Sequence, residues 1–510
     1  MTDIAPKDRQ YPVALVGAGP GDPGLMTRRC LELVAEADVI YYDRLIPPEA
    51  LDGAKPEAEL VYVGKEPGKP GLGQEEINRR LVESGKAGLR VVRLKGGDPF
   101  VYGRGAEEAE ALRAAGLEFE VVPGVTAGVA ASAYAGIPVT YRDDSSTVTF
   151  ATGHEDPSRN ESRLDLDLLA QTSGTLVFYM GLRKLAGFAE ALIAGGRPAD
   201  QPAAVIESGT TPAQRVVTGT LVGIAEAVEA EGLKPPALVV IGDVAARRED
   251  LSWFERRPLF GVSIVVTRAK ERVSGLAARL RALGGEVIEV PVSRTEPADP
   301  HDPSVSEPLD RFADGDFDLV CFTSPTGVGC FFELIEARGL DARAFSGSEL
   351  AAIGPSTARA LGTRGLKADH LPERFVSEGM LRTLEKVPMD GRWVLVARAA
   401  EGRQLLPETL RERGAEVVVM PVYRTVPEEP PEVSLERAGS ADFITFTSAS
   451  SVHNLIRTGV VDPASFEPSV VTIGPVTSEA AREAGFQVEH EAERHDLDGL
   501  VEAVQAARSK

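Results

Sequence analysis

Cysteine is nearly missing from this chain. Three in 510 residues, Cys30, Cys321 and Cys330, show neither the numbers and spacing of a disulfide framework nor those of a metal motif. The six histidines are scattered, so no structural metal is expected. Long apolar runs are missing too: nothing approaches the roughly 20 residues that a membrane span requires. The stretch from Met1 to Asp8 lacks a signal peptide's basic-then-apolar order, so a cytoplasmic chain with no membrane partner is expected. Positive charge is scarce, with 55 Lys and Arg against 77 Asp and Glu and a formal net charge of −22. That balance argues against nucleic acid as a partner. It also means that a polycarboxylate substrate would have to meet a basic cleft on an acidic body. What remains is ordinary globular material, 43% hydrophobic and 26% charged, long enough for about three to four domains.

The most informative stretch runs Val92-Arg93-Leu94-Lys95-Gly96-Gly97-Asp98-Pro99-Phe100-Val101-Tyr102-Gly103-Arg104-Gly105. A β-type apolar run ends in glycines, an aspartate and a proline, which brings bare backbone close to a ligand without Cβ interference. Similar turns flank it: Val16-Gly17-Ala18-Gly19-Pro20-Gly21-Asp22-Pro23 upstream, and Val122 to Gly128 with Ala135-Gly136-Ile137-Pro138 downstream. The upstream turn suggests a nicotinamide-binding Rossmann domain, because it follows the strand Val13 to Val16 and Asp43 ends the next apolar run. The spacing fails. Asp22 sits where a third glycine is needed, and Pro20 and Pro23 disrupt the helix start that would hold a pyrophosphate.

The charged segment from Ala246 to Pro258 separates two strand-like runs and reads as a linker at 246–258. Beyond it the sequence repeats itself. Gly261 to Arg268 and on to Thr295 matches Gly391 to Arg398 and on to Thr425. Phe322-Thr323-Ser324 returns as Phe446-Thr447-Ser448, and Ile353-Gly354-Pro355 with Thr357 returns as Ile473-Gly474-Pro475 with Thr477. Apolar strands alternate with helical segments, so two related α/β lobes with mostly parallel sheets are expected.

Taken in order, the first-half segments resemble uroporphyrinogen-III C-methyltransferases of the tetrapyrrole-methylase family. The doubled second half resembles uroporphyrinogen-III synthases. The resemblance implies an α/β chain with a two-subdomain tetrapyrrole-methylase fold at 10–245, followed by a bilobed synthase fold at 259–506. One synthase lobe would combine about 259–293 with 424–506, and the other would occupy about 296–420. It implies S-adenosyl-L-methionine as methyl donor, S-adenosyl-L-homocysteine as product, no metal, tetrapyrrole substrates, and a homodimer through the methylase half. The implied activities are cyclisation of hydroxymethylbilane to uroporphyrinogen III and its methylation at C2 and C7 to precorrin-2, which feeds sirohaem or cobalamin.

The same resemblance assigns Pro20, Gly96, Gly97, Asp98, Val101, Thr126, Ala127, Met180 and Gly209 to the donor, although Met180 could equally be a core methionine. Asp43, in Tyr41-Tyr42-Asp43-Arg44-Leu45, corresponds to the family's proton acceptor. Lys65 corresponds to its proton donor or substrate partner. The bland alternatives are a solvated strand-end aspartate and a surface lysine. Arg44, Lys95, Arg104 and Arg142 are candidate carboxylate holders, since guanidinium forks match carboxylates. The chain departs from the family pattern at Glu66, Pro70 and Tyr141. In the synthase half Tyr423 is the catalytic candidate, its counterpart in the first copy being Ser293; a structural tyrosine at a lobe hinge is the other reading. Thr323, Ser324, Arg403, Thr447, Ser448 and Thr477 are expected to bind substrate carboxylates. A competing reading makes the second half a non-catalytic bilobed sensor beside a methylase acting on another tetrapyrrole.

Overall fold

Runs such as Val13 to Gly17 and Val39 to Tyr42 are apolar at consecutive positions, a pattern a strand buries only when both sheet faces are covered. The computed structural model describes residues 11–64, 72–153, 164–267, 273–430, 432–459 and 461–508. The chain divides into two compact units, Met1–Val262 with Leu280–Glu286, and Ser263–Arg279 with Val287–Lys510. In the first unit β1 (Val13–Gly17), β2 (Val39–Tyr42), β3 (Glu59–Tyr62), β4 (Val91–Lys95) and β5 (Phe119–Val122) form an all-parallel sheet ordered β3-β2-β4-β1-β5. Alternate residues feed two cores. Val13, Leu15 and Val39 pack with Ile77, Leu81 and Leu112 on one face, and Ala14, Val16 and Ile40 with Cys30 and Val34 on the other. The chain leaves β1 toward one edge and β4 toward the other. The C-terminal ends of β1 and β4 therefore flank a topological switch point, where open parallel sheets bind ligands.

The second sheet of this unit contains β6 (Val148–Thr152), β7 (Thr175–Tyr179), β8 (Pro202–Glu207), β9 (Arg215–Thr220) and β10 (Ala237–Ile241), ordered β6-β7-β10-β8-β9. β6 and β7 run parallel, and the remaining neighbours are antiparallel. The segment 246–258, expected as a linker, is docked on this unit. Arg247 pairs with Asp144 at 2.6 Å, the Trp253 indole donates to the Ala133 carbonyl at 3.0 Å, and the buried Phe254 ring lies 4.7 Å from that of Tyr134. Two aromatic residues inside a charged run account for the difference.

The second unit holds two more sheets. β11 (Ser263–Val266), β12 (Glu286–Glu289), β18 (Phe443–Phe446), β19 (Ser469–Thr472) and β20 (Val488–Glu491) are ordered β12-β11-β18-β19-β20. Between them in sequence lie β13 (Ser293–Pro297), β14 (Leu319–Phe322), β15 (Glu349–Ala352), β16 (Trp393–Ala399) and β17 (Glu416–Pro427), ordered β13-β17-β16-β14-β15. β17 pairs parallel with β16 through its first part and antiparallel with β13 through its last. This sheet thus spans Ser293 to Pro427, where a lobe of about 296–420 was expected. The repeated motifs are repeated helix starts. Ser324 caps the helix Pro325–Ala337, accepting from the Gly327 amide, and Ser448 caps Ala449–Arg457, accepting from the Ser451 amide. Gly354 and Gly474 each precede a helix that begins with proline.

Candidate functional site

At the switch point Gly19 and Gly97 form an antiparallel bridge, with the Gly97 amide donating to the Gly19 carbonyl at 2.6 Å. A Cβ on Gly17 would stand 2.5 Å from the Gly97 carbonyl and 2.6 Å from the Gly124 nitrogen. Only glycine lets these three chain segments meet. Gly97 itself holds φ +67°, a left-handed conformation that glycine adopts without steric cost. Asp22 caps the short turn Pro23–Leu25 and the next helix starts at Arg28. The turn after β1 therefore does not run directly into an α-helix, as a dinucleotide fingerprint requires.

Side chains bind the surrounding loops together. Asp98 accepts from the Phe100 amide at 2.8 Å and from the Gly124 amide at 3.1 Å. The Thr126 hydroxyl lies 2.7 Å from the Tyr179 hydroxyl, which also accepts from the Gly128 amide at 2.6 Å. Burial pushes the Tyr179 phenol up, opposed by these two bonds. The Asp22 amide donates to the Thr210 hydroxyl at 3.2 Å, and the Tyr134 hydroxyl donates to the Asp22 carboxylate at 2.7 Å. Burial first, and Asp22 second, raise the Tyr134 phenol strongly.

The nine residues expected at the donor thus come from the loops after β1, β4, β5, β7 and β8. None is fully buried, and Met180 is 50% exposed, which removes its reading as a core methionine. Among the described residues, the five non-glycine residues with positive φ all lie in these loops: Tyr102, Arg104, Met180, Ser208 and Thr210. Strain of this kind persists only where the surrounding structure over-determines it, and it clusters at functional sites.

Asp43 follows β2, adjacent to β4. Leu45 brings its carbonyl to 2.6 Å from where a Cβ on Gly96 would stand, so the Asp43 loop abuts the donor loops. The Asp43 carboxylate, 29% exposed, pairs with Arg93 at 2.8 Å. Arg93 in turn pairs with Glu108 at 3.0 Å, and Lys95 meets the same Glu108 oxygen at 2.9 Å. Arg93, Lys95 and Glu108 are 2%, 3% and 0% exposed. Lys95 therefore needs correction: expected to hold substrate carboxylates, it is buried with its amine engaged by Glu108. Burial and the neighbouring Arg93 lower its pKa, against the pull of Glu108 and Asp43. Arg93 and Glu108 were not among the expected residues. The available signal was two charges, Arg93 and Lys95, on one face of an otherwise apolar strand.

Arg44, Arg104 and Arg142 are exposed, and Arg104 pairs with Glu107 at 2.7 Å. Tyr141 lies beneath the Arg247 guanidinium at 4.5 Å. Lys65, Glu66 and Pro70 lie outside the described residues.

In the second unit Tyr423 is buried at the strand position where β17 changes partners, and its hydroxyl lies 3.0 Å from that of Ser324. Thr323 is half-buried beside them. Thr447 and Ser448 occupy the matching strand end of the other sheet, and Thr477 is buried in a helix's first turn. Arg403 is exposed and pairs with Glu378 at 2.8 Å. A residue not anticipated is Arg398, at the end of β16. It is 5% exposed, donates to the Arg403 carbonyl at 2.5 Å and leaves its buried Nε without a partner. Among the described residues no helix is long and apolar enough to cross a membrane, and no cluster of His, Cys, Asp and Glu could hold a metal ion.

Residues 12–225 match the tetrapyrrole (corrin/porphyrin) methylases, and residues 274–502 match the uroporphyrinogen-III synthase HemD. The porphyrin biosynthesis protein HemD of Ruminiclostridium josui is 38% identical over 497 residues, covering 96% of this chain and 97% of that one. A uroporphyrinogen-III C-methyltransferase of Bacillus subtilis is 44% identical over 331 residues, covering 65% of this chain and 67% of its own length. The solved uroporphyrin-III C-methyl transferase of Thermus thermophilus, complexed with S-adenyl homocysteine, is 39% identical. It covers 46% of this chain and 99% of that one with a TM-score of 0.40.

Proposed function

Because the chain belongs to the family in which a tetrapyrrole methylase is joined to a uroporphyrinogen-III synthase, we propose that Asp43 and Tyr423 are the proton-handling residues of its two activities. The chain is a bifunctional enzyme of tetrapyrrole biosynthesis. Its second unit cyclises hydroxymethylbilane to uroporphyrinogen III, and its first methylates that product at C2 and C7 to give precorrin-2. The observation that carries the methylase reading is the meeting of five loops at the switch point beside a carboxylate, Asp43, that stays 29% open to solvent.

Fit to the methyl donor rests on the cradle itself. Its expected residues are half-buried to exposed, Met180 presents an apolar side chain there, and Gly97 has no side chain to fill the space near Thr126 and Ala127. S-adenosylmethionine, when bound, supplies an already activated methyl group. The protein's share is therefore chiefly alignment. Asp98 fixes the two loops that close on the ligand, Thr126 and Met180 bound it, and Asp43 accepts the proton that the ring loses after gaining a methyl group. The exposed Arg44 and Arg142 meet substrate carboxylates, and Arg104 does so through exchange of its pairing with Glu107; Lys65 is proton donor or carboxylate partner.

For the synthase half the difficulty is conformational, because a linear tetrapyrrole must close with one ring inverted. Tyr423 donates a proton to the departing hydroxyl, with Ser324 orienting the phenol. Thr323, Thr447, Ser448 and Thr477 meet substrate carboxylates from strand ends and helix starts. Arg403 is available to a substrate carboxylate through exchange of its pairing with Glu378. This reading calls on no metal, and a homodimer through the methylase half is part of it. Incubating the purified chain with hydroxymethylbilane and S-adenosylmethionine should yield the type III isomer carrying two added methyl groups. Type I product alone would remove the synthase assignment, and an unmethylated type III product the methylase one.

A further inference from the structure

Burying several charges brings no stability over apolar residues of similar volume, so the cluster beside Asp43 asks for another reason. Its geometry forms a chain. Asp43 bonds one Nη of Arg93 at 2.8 Å, the Arg93 Nε bonds Glu108 at 3.0 Å, and the same Glu108 oxygen receives Lys95 at 2.9 Å and the Gln74 amide at 3.2 Å. Arg93 also donates to the Leu94 carbonyl at 3.1 Å, so the planar guanidinium has one orientation open to it. Two cations and two anions make the cluster neutral only while Asp43 is ionised. Asp43 alone among the four reaches solvent.

We propose that Glu108 and Arg93 are positioning residues for the methylase base: Glu108 anchors Arg93, and Arg93 holds the Asp43 carboxylate aimed before each methyl transfer. This rests on the reading of Asp43 as proton acceptor. When Asp43 takes the ring proton, the cluster carries an uncompensated buried positive charge. The proton then passes through the open side of Asp43 to water, which resets the base for the second methylation. Among the described residues, the groups packed around this cluster come from its neighbouring strands and helices. β4 supplies Arg93 and Lys95, and the helix Gly105–Ala114 supplies Glu108, its Glu107 being turned outward to Arg104. The helix Gln74–Lys86 supplies the neutral Gln74, and β2 the Tyr41 hydroxyl, held 2.8 Å from that of Ser84.

The test is single-turnover methyl transfer from S-adenosylmethionine to uroporphyrinogen III by the full chain, with donor affinity measured alongside. Arg93→Lys keeps the charge but not the fork, so the rate should fall about tenfold to a hundredfold with donor affinity unchanged. Arg93→Met, which removes both the charge and the fork, should slow transfer at least as much, again with donor affinity unchanged. Glu108→Gln should slow transfer in the same sense as Arg93→Lys. In an Asp43→Asn background, itself slow, neither Arg93→Lys nor Glu108→Gln should add anything. Equal further losses in that background would show a purely structural role and overturn the proposal, as would a wild-type rate in the Arg93 variants. A wild-type rate in Asp43→Asn alone would instead remove the underlying assignment of the base. If Arg93→Met fails to fold, the Arg93→Lys comparison with and without Asp43→Asn decides the matter.

Discussion

Asp98 uses both carboxylate oxygens on backbone amides, those of Phe100 and Gly124. Hydrogen bonds to an ionised group contribute about 1.5–3 kcal/mol each, so Asp98→Ala should weaken S-adenosylmethionine binding by about tenfold or more. Bilane cyclisation should be untouched, since its site lies in the other unit and shares no residue with this one. Asp98→Asn, which keeps one acceptor oxygen, should lose less; unchanged donor affinity of both variants in calorimetry would take Asp98 out of the site. Tyr423→Phe removes a hydroxyl that lies 3.0 Å from Ser324. Its stability cost should be about 0.5–1.5 kcal/mol. A proton-donor role predicts a slower type III rate by about a hundredfold or more, with spontaneous type I product rising in competition. An orienting role alone would cost about threefold to tenfold, so isomer analysis against time separates the two. The sequence singled out both residues because their motifs are local. It could not show that Lys95 is buried, or that Arg93 and Glu108 complete its network, because those partners are set by strand–helix packing.

At the scale of elements, the glycine turns are where pattern and structure coincide. Gly17, at the end of β1, meets Gly97 and Gly124, so Gly17→Ala should destabilise the first unit by about 1–3 kcal/mol, the range for overpacking, and weaken donor binding with it. Gly53, where a Cβ would meet nothing within 4 Å, is the control: Gly53→Ala should melt within about 0.5 kcal/mol of the native chain. Equal melting of the two variants would mean that the backbone junction is looser than its distances imply. The doubled Phe-Thr-Ser and Ile-Gly-Pro motifs show the limits of pattern. As repeats they foreshadowed two related sheets; Ser324 and Ser448, expected as carboxylate binders, hold helix N-termini. Segment 246–258 shows the converse, since its charge suggested a linker while Trp253 and Phe254 dock it.

For the molecule as a whole, the scarcity of cysteine becomes a measurable property. All three thiols are buried, and burial pushes Cys30 up to about 11 and Cys321 up to about 12. At pH 8 the native chain should therefore react with a thiol reagent hardly at all, whereas the chain in denaturant should titrate all three. Rapid labelling of the native protein would contradict this packing. By itself the sequence determined the alternation of apolar strands and helices, the repeat and the glycine turns, because these depend on periodicity and on backbone freedom at single positions. Tertiary structure alone decided which charges are buried and paired, where β17 exchanges partners, and that Met180 stands exposed on a strained backbone. Those properties depend on groups that folding brings within a few ångströms from distant parts of the chain, and a buried ion is stable only when such partners arrive.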